Sequence, residues 1–222
     1  MRQAMNILVT GDAARWQALQ QRNFSGCNTL YQAAIDHIDL TAYTMVIDLS
    51  LDDTPGNASH YAQYPETMVL GNVVKTSLQA ITKHYNAGNI IGCNWLPGFG
   101  HMLVLEVSCS HAALWEKWRA MAGMLQWAYE RVEDLPGMVT PRVVSMIINE
   151  AYFTVEEGTA SREDIDMAMK LGTNYPFGPF EWSTKIGLDQ VYGILQAVQA
   201  ATGLARYAIC PLLAAEAFTI KS

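Results

Sequence analysis

Ser161-Arg162-Glu163-Asp164-Ile165-Asp166, then Met169-Lys170-Leu171-Gly172 and Pro176-Phe177-Gly178-Pro179-Phe180-Glu181, spell out two helices and the turn between them. Ser161 followed three residues on by Asp164 is a capping-box variant, which starts a helix over residues 162–171. Pro179 sits at a first helical position, where its missing N–H costs nothing, and starts another over 180–186. Gly158, Gly172, Gly187 and Gly203 each fall where a helix should stop. They bracket two further helices, 142–158 and 188–203, so the chain from Pro141 onward reads as helical.

Upstream the pattern changes. Asn6-Ile7-Leu8-Val9-Thr10 ends at Gly11, and residues 13–22 follow as a short helix. Residues 29–33 form a weak strand candidate, with better ones at 44–48, 67–70, 90–94 and 102–107, giving five or six in all. A helix is expected over 74–86, and another over 111–132 with Leu114, Trp118, Met121, Leu125 and Ala128 on one face. The tryptophans of that helix read as core. Strands alternating with helices predict a mostly parallel sheet covered on its faces. Pro136-Gly137 marks the expected boundary, so the domains are 1–135, α/β, and 136–222, all-α.

Composition limits the function classes. Half of the 222 residues are apolar and 16% are charged, which describes a folded chain. A formal charge of −7 argues against a nucleic-acid partner, since phosphate neutralisation needs a basic surface. No apolar run is long enough for a membrane span, and the first residues lack signal-peptide anatomy. Cys27, Cys93, Cys109 and Cys210 show no paired spacing, which points to reduced thiols in a cytoplasmic protein rather than a disulfide framework. His37, His60, His84 and His111 have no mutual spacing that suggests a metal, and none is expected.

The helical signatures quoted above, with Pro136-Gly137-Met138-Val139, Asn149-Glu150-Ala151, Glu157-Gly158 and Gly187-Leu188-Asp189, resemble the C-terminal domain of 3-hydroxyacyl-CoA dehydrogenases at fixed spacing and without a gap. The resemblance implies a Rossmann-like first domain and a helical second domain that carries most of a homodimer interface and one wall of an acyl-CoA cleft. It also implies NAD as cofactor, an oxidoreductase activity and a place in fatty acid metabolism.

A second segment resembles the family with changes at its chemistry. Over Gly92-Cys93-Asn94-Trp95-Leu96-Pro97 to Val104-Leu105-Glu106-Val107, Glu106 falls on the glutamate that orients the catalytic histidine, and Asn94 falls on the histidine itself. An amide cannot act as a base near neutral pH, and losing a positioned general base costs about 10²–10⁴ in rate. Asn72 keeps its place in Gly71-Asn72-Val73-Val74, while a substrate-binding serine becomes Val74 and a substrate-positioning asparagine becomes Pro141. His101, seven residues past Asn94, is a candidate to replace the lost base.

The dinucleotide fingerprint is altered as well. Gly-x-Gly-x-x-Gly appears as Gly11-Asp12-Ala13-Ala14-Arg15-Trp16, with a methyl at the close-approach position and Trp16 expected to push helix and strand apart. Gly11 and Asp48 remain the cofactor-binding candidates, and Asp36 lies at a suggestive distance for a ribose contact. The Gly11-to-Asp48 stretch is much shorter than its family counterpart, which implies the loss of a helical hairpin and a sheet strand. The sequence thus predicts a family member with weak or no dehydrogenase activity. The alternatives are an active NAD-dependent oxidoreductase on a 3-hydroxyacyl-CoA or related 3-hydroxy acid, and a non-catalytic dimer that binds a small ligand or a protein.

Overall fold

The computed structural model describes residues 5–100 and 102–219. Two compact units divide between Met138 and Val139. The division falls just past Pro136-Gly137 because the Gly137 N–H donates to the Val74 carbonyl at 2.6 Å, holding that turn to the first unit.

The first unit is a seven-stranded sheet in the order β2-β1-β3-β4-β5-β6-β7. Its strands are β1 (Met5–Thr10), β2 (Cys27–Gln32), β3 (Met45–Asp48), β4 (Met68–Asn72), β5 (Ile90–Cys93), β6 (Val104–Ser108) and β7 (Ala128–Arg131). Its helices are α1 (Ala13–Leu19), α2 (Asn57–Tyr61), α3 (Leu78–Tyr85) and α4 (Ala112–Leu125). All strand pairs are parallel except β5 with β6, so the mostly parallel, Rossmann-like α/β fold is present as expected.

Strands buried on both faces read as continuous apolar runs, and β1, β3 and β4 do. Ile7, Val9, Ile47 and Leu70 face a cluster completed by Leu19 of α1 and Trp118 and Leu125 of α4. Leu8, Val46 and Val69 face the opposite cluster, completed by Tyr61, Leu78 and Ile81. The strand order reverses between β1 and β3. In such sheets the carboxyl ends of the strands at the reversal form the ligand crevice.

Three local readings need correction. The helix expected over 111–132 ends at Leu125, because Gln126 turns left-handed (φ 58). Trp127 then enters the core and residues 128–131 pair with β6 as the seventh strand. Gly172 does not stop its helix, which runs to Thr173 and is ended by left-handed Asn174. Trp16 does not force α1 off the sheet. Its ring stacks on Tyr31 of β2 at 5.8 Å, while Arg15 and Leu19 are the buried residues of α1.

The second unit contains α5 (Thr140–Glu156), α6 (Arg162–Thr173), α7 (Pro179–Ile186), α8 (Leu188–Thr202) and α9 (Pro211–Thr219). The α9 helix went unread in the sequence. The signature residues tie this unit to itself. Ser161 Oγ accepts the Asp164 N–H at 3.1 Å and so caps α6. Both oxygens of Asp166 accept N–H groups at the start of α7, from Phe180 at 2.8 Å and Glu181 at 3.2 Å. Glu181 in turn accepts the Gly178 N–H and pairs with Lys170. Val191, Ile194 and Leu195 of α8 are fully buried.

Candidate active site

The residues expected to carry chemistry come together at the ends of β4, β5 and β6. Gly92 lies opposite Ser108 and Cys93 opposite Val107, where the ladder ends; Asn94 follows Cys93, and Glu106 precedes Val107 on β6. Asn94, 7% exposed, accepts the Leu96 N–H on its Oδ1 at 3.1 Å, an Asx turn that spends its acceptor on the backbone. Glu106 is half-buried on β6. His101 lies outside the described residues.

The loop after Asn94 is pinned from below. The Arg22 guanidinium donates to the carbonyls of Gly100 and Met102 and lies over the rings of Trp95 and Trp127, at 5.8 and 5.5 Å. Asn72 is completely buried and bridges two segments. Its Oδ1 accepts the Trp95 N–H at 2.7 Å, and its Nδ2 donates to Asp52 Oδ2 at 3.1 Å. Val74 is likewise buried, with its N–H donated to the same Asp52 oxygen at 2.6 Å. Both therefore serve the loop's own structure.

Asp52 went unnoticed in the sequence, although two consecutive acids just past a strand end are the signal that points to it. Its Oδ2 also accepts the Lys75 N–H at 3.0 Å. Burial pushes its carboxyl up to about 6, against the downward pull of the Val74 and Lys75 N–H groups.

At the switch point the two cofactor candidates fare differently. Asp48 is fully enclosed and its acceptors are taken, by the Ser50 N–H at 2.9 Å, Asn57 Nδ2 at 3.0 Å and the Tyr61 hydroxyl at 2.6 Å. It holds the following loop and offers no surface to a ligand. Gly11 keeps the required backbone, with φ +105, but the space beside it is filled. A Cβ there would meet Ser50 Oγ at 2.7 Å. The Asp12 N–H donates to that same Ser50 hydroxyl, Tyr31 caps the Gly11 carbonyl, and the Asp12 carboxylate accepts the Arg15 N–H at 2.8 Å. A diphosphate needs open backbone N–H groups and a helix N-terminus without a competing anion. Here the Asp12 and Arg15 N–H groups are taken and the Asp12 carboxylate sits as a competing anion at the start of α1, so the loop is a poor fit for the NAD diphosphate. Asp36 is exposed and stands beyond the end of β2.

Among the described residues no group of His, Cys, Asp and Glu could hold a metal, and no helix is long and apolar enough to cross a membrane. The helical unit has its own cavity of about 400 Å³ beside Tyr152, Arg162, Phe180 and Glu216. Its charges are already matched, with Arg162 on Glu216 at 2.5 Å and the Tyr152 hydroxyl on the other Glu216 oxygen at 3.1 Å.

The fold is shared with solved 3-hydroxyacyl-CoA dehydrogenases. The (S)-3-hydroxybutyryl-CoA dehydrogenase of Ralstonia eutropha superimposes with a TM-score of 0.74 over 97% of this chain and 94% of its own, at 19% identity. The 3-hydroxybutyryl-CoA dehydrogenase of Escherichia coli gives 0.71 over 96% of this chain and 51% of its own, at 20% identity. At such identities the likeness speaks for the fold. Sequence adds the kinship. Residues 137–217 match the model of the 3-hydroxyacyl-CoA dehydrogenase C-terminal domain. A probable 3-hydroxybutyryl-CoA dehydrogenase of Bacillus subtilis is 34% identical over 155 residues, 67% of this chain. The 3-hydroxyadipyl-CoA dehydrogenase of Escherichia coli is 45% identical over 83 residues, 37% of this chain. This chain belongs to the 3-hydroxyacyl-CoA dehydrogenase family. It spans about half the length of the Bacillus relative (53%) and 18% of the Escherichia one.

Proposed function

We propose that this chain is a family member with weak or no dehydrogenase activity, whose dimer-forming helical unit outlives the chemistry of its α/β unit. The observation that carries the reading is Asn94. At the position the resemblance gives to the histidine stands an amide whose oxygen closes a turn, so nothing there can take the hydroxyl proton of a 3-hydroxyacyl thioester. The crowded loop at Gly11 supports the same reading from the cofactor side. Homodimerisation through the helical unit, an acyl-CoA-type ligand and a cytoplasmic location go with this proposal by kinship.

The test is turnover of acetoacetyl-CoA with NADH, alongside NADH fluorescence titration and the Asn94→His variant. We expect wild-type turnover at least 10²-fold below that of an intact family enzyme, in line with loss of a general base. NADH should leave the fluorescence unchanged. Asn94→His alone should restore little, because the cofactor loop stays closed. Micromolar NADH affinity with steady wild-type turnover would favour the active oxidoreductase instead.

A further inference from the structure

We propose that Asp53 acts within this chain as the anion of the switch-point crevice, an internal surrogate for the diphosphate of a dinucleotide. The inference rests on the reading that nicotinamide chemistry has been lost and deepens it by naming what took the ligand's place.

Three segments meet at the carboxyl ends of β1, β3 and β4, and each contributes one member of a charged bridge. Arg15 comes from the first turn of α1, Asp53 from the loop after β3 and Lys75 from the loop after β4. Asp53 Oδ2 holds Arg15 Nη2 at 2.9 Å, and Asp53 Oδ1 holds Lys75 Nζ at 2.6 Å. The bridge is no ordinary surface pair. The Arg15 side chain is only 6% exposed, and its other amino group donates to the Leu49 carbonyl at 2.5 Å. A guanidinium so enclosed needs a counter-anion at all times, and removing that partner leaves a buried uncompensated charge.

Four neutral donors of the crevice are also taken from within. Ser50 and the Asp12 carboxylate take the Asp12 and Arg15 N–H groups, and Asp52 takes those of Val74 and Lys75. Asp12 and Asp53 set two carboxylates against the two cations, which leaves no net positive field to draw in a diphosphate. Burial pushes the Asp53 carboxyl up, but Lys75 and Arg15 outweigh it and hold it below the ordinary value, so the bridge is charged at neutral pH. The crevice is thus closed and charge-satisfied without a cofactor, and opening it exposes a site for inorganic phosphates.

The experiment uses the full chain, thermal melts at low salt and inorganic pyrophosphate as the probe. Wild type should show no change in Tm with millimolar pyrophosphate. Asp53→Asn should melt about 5–10 °C lower, as expected for a broken buried pair in a unit of this size. It should then regain a few degrees with pyrophosphate, and sodium chloride should abolish the gain. Arg15→Met/Asp53→Asn removes the more buried of the two orphaned cations, Lys75 remaining, so it should melt above Asp53→Asn and gain clearly less from pyrophosphate. This double variant keeps the test alive if Asp53→Asn does not fold. An Asp53→Asn protein that melts like wild type, or does not respond to pyrophosphate, overturns the inference. So does a wild type that responds. Turnover of acetoacetyl-CoA by wild type would overturn the loss of activity instead, and the two failures are read separately.

Discussion

The two units keep their ancestry in different currencies. In the helical unit the family's residues survive, and they survive because they hold the chain to itself. Ser161 caps α6, and Asp166 and Glu181 cap and brace α7. In the α/β unit the fold survives while the site residues change, because the sheet needs only apolar strands at the right intervals. There Asn72, Asp48 and Gly11, to which the resemblance pointed, are each drawn into an internal network. A motif that is structural glue resists loss even where a motif that serves a ligand does not.

If that contrast is right, the largest losses of stability come from the helical signature. Asp166→Ala strands two N–H groups at the start of α7 and removes a charge from its positive end. The expected cost is about 3 kcal/mol from two charge-assisted hydrogen bonds. Gly178→Ala should cost a similar amount, since a Cβ there would overlap the Asp166 carboxylate. Trp182 is the only one of the six tryptophans in the second unit, so in a Trp182→Phe background fluorescence follows the first unit alone, and far-ultraviolet circular dichroism in urea then adds the second unit's transition. A Gly178→Ala protein as stable as its parent would show that the turn has room to shift.

The same contrast explains what the sequence disclosed. Caps and left-handed glycines are local signals, so the starts at Ser161 and Gly178 and the stops at Gly158, Gly187 and Gly203 were legible. Gly172 misled because a glycine is permitted, not obliged, to turn left-handed, and Asn174 does so instead. The seventh strand was hidden because Ala128 continues the apolar spacing of α4, and only the left turn at Gln126 breaks it. At the site, the roles of Asn94 and Glu106 were legible only through the family resemblance. The bridge of Arg15, Asp53 and Lys75 was not legible, because its members lie 38 and 22 residues apart and meet only through the sheet's topology.

A middle-sized effect probes the α/β side. Asn72→Ala removes an acceptor from the Trp95 N–H and a donor from Asp52, both in a fully buried setting. About 2 kcal/mol should be lost from the first unit. Hydrogen exchange should show faster exchange of the Trp95 amide. Unchanged protection there would mean that Asn72 is kept for a ligand after all, which would narrow the difference between the units.

Acidity offers a smaller probe of the same loop. The Asp52 carboxyl is raised to about 6 by burial, so the folded state prefers its protonated form. The stabilisation it gives is full below about pH 4 and is lost as pH rises through about 6. Asp48, also raised by burial, acts with the same sign, whereas Asp53 is lowered and acts only as pH falls below the ordinary carboxyl range. Asp52→Asn keeps an acceptor for the Val74 and Lys75 N–H groups without the charge. It should match wild type near pH 4 and exceed it by about 1–2 kcal/mol at pH 8. A parallel pair of stability curves would place the pH dependence elsewhere.

The smallest expected effect asks whether a recognised motif can be glue without being strong. Ser161 is exposed, and its hydroxyl satisfies one N–H, that of Asp164, while donating to the Asp164 carboxylate at 2.7 Å. Water can replace much of this, so Ser161→Ala should cost about 0.5–1 kcal/mol, the range of an exposed N-cap. Ser161→Asp should recover the cap, with the first-turn acids Glu163 and Asp164 limiting the gain by repulsion. A loss from Ser161→Ala as large as that from Asp166→Ala would mean that this face of α6 is covered in the working protein, as a helical dimer interface would cover it. Sedimentation of the same variant then decides the matter, because a cap defect leaves the oligomer intact and an interface defect does not.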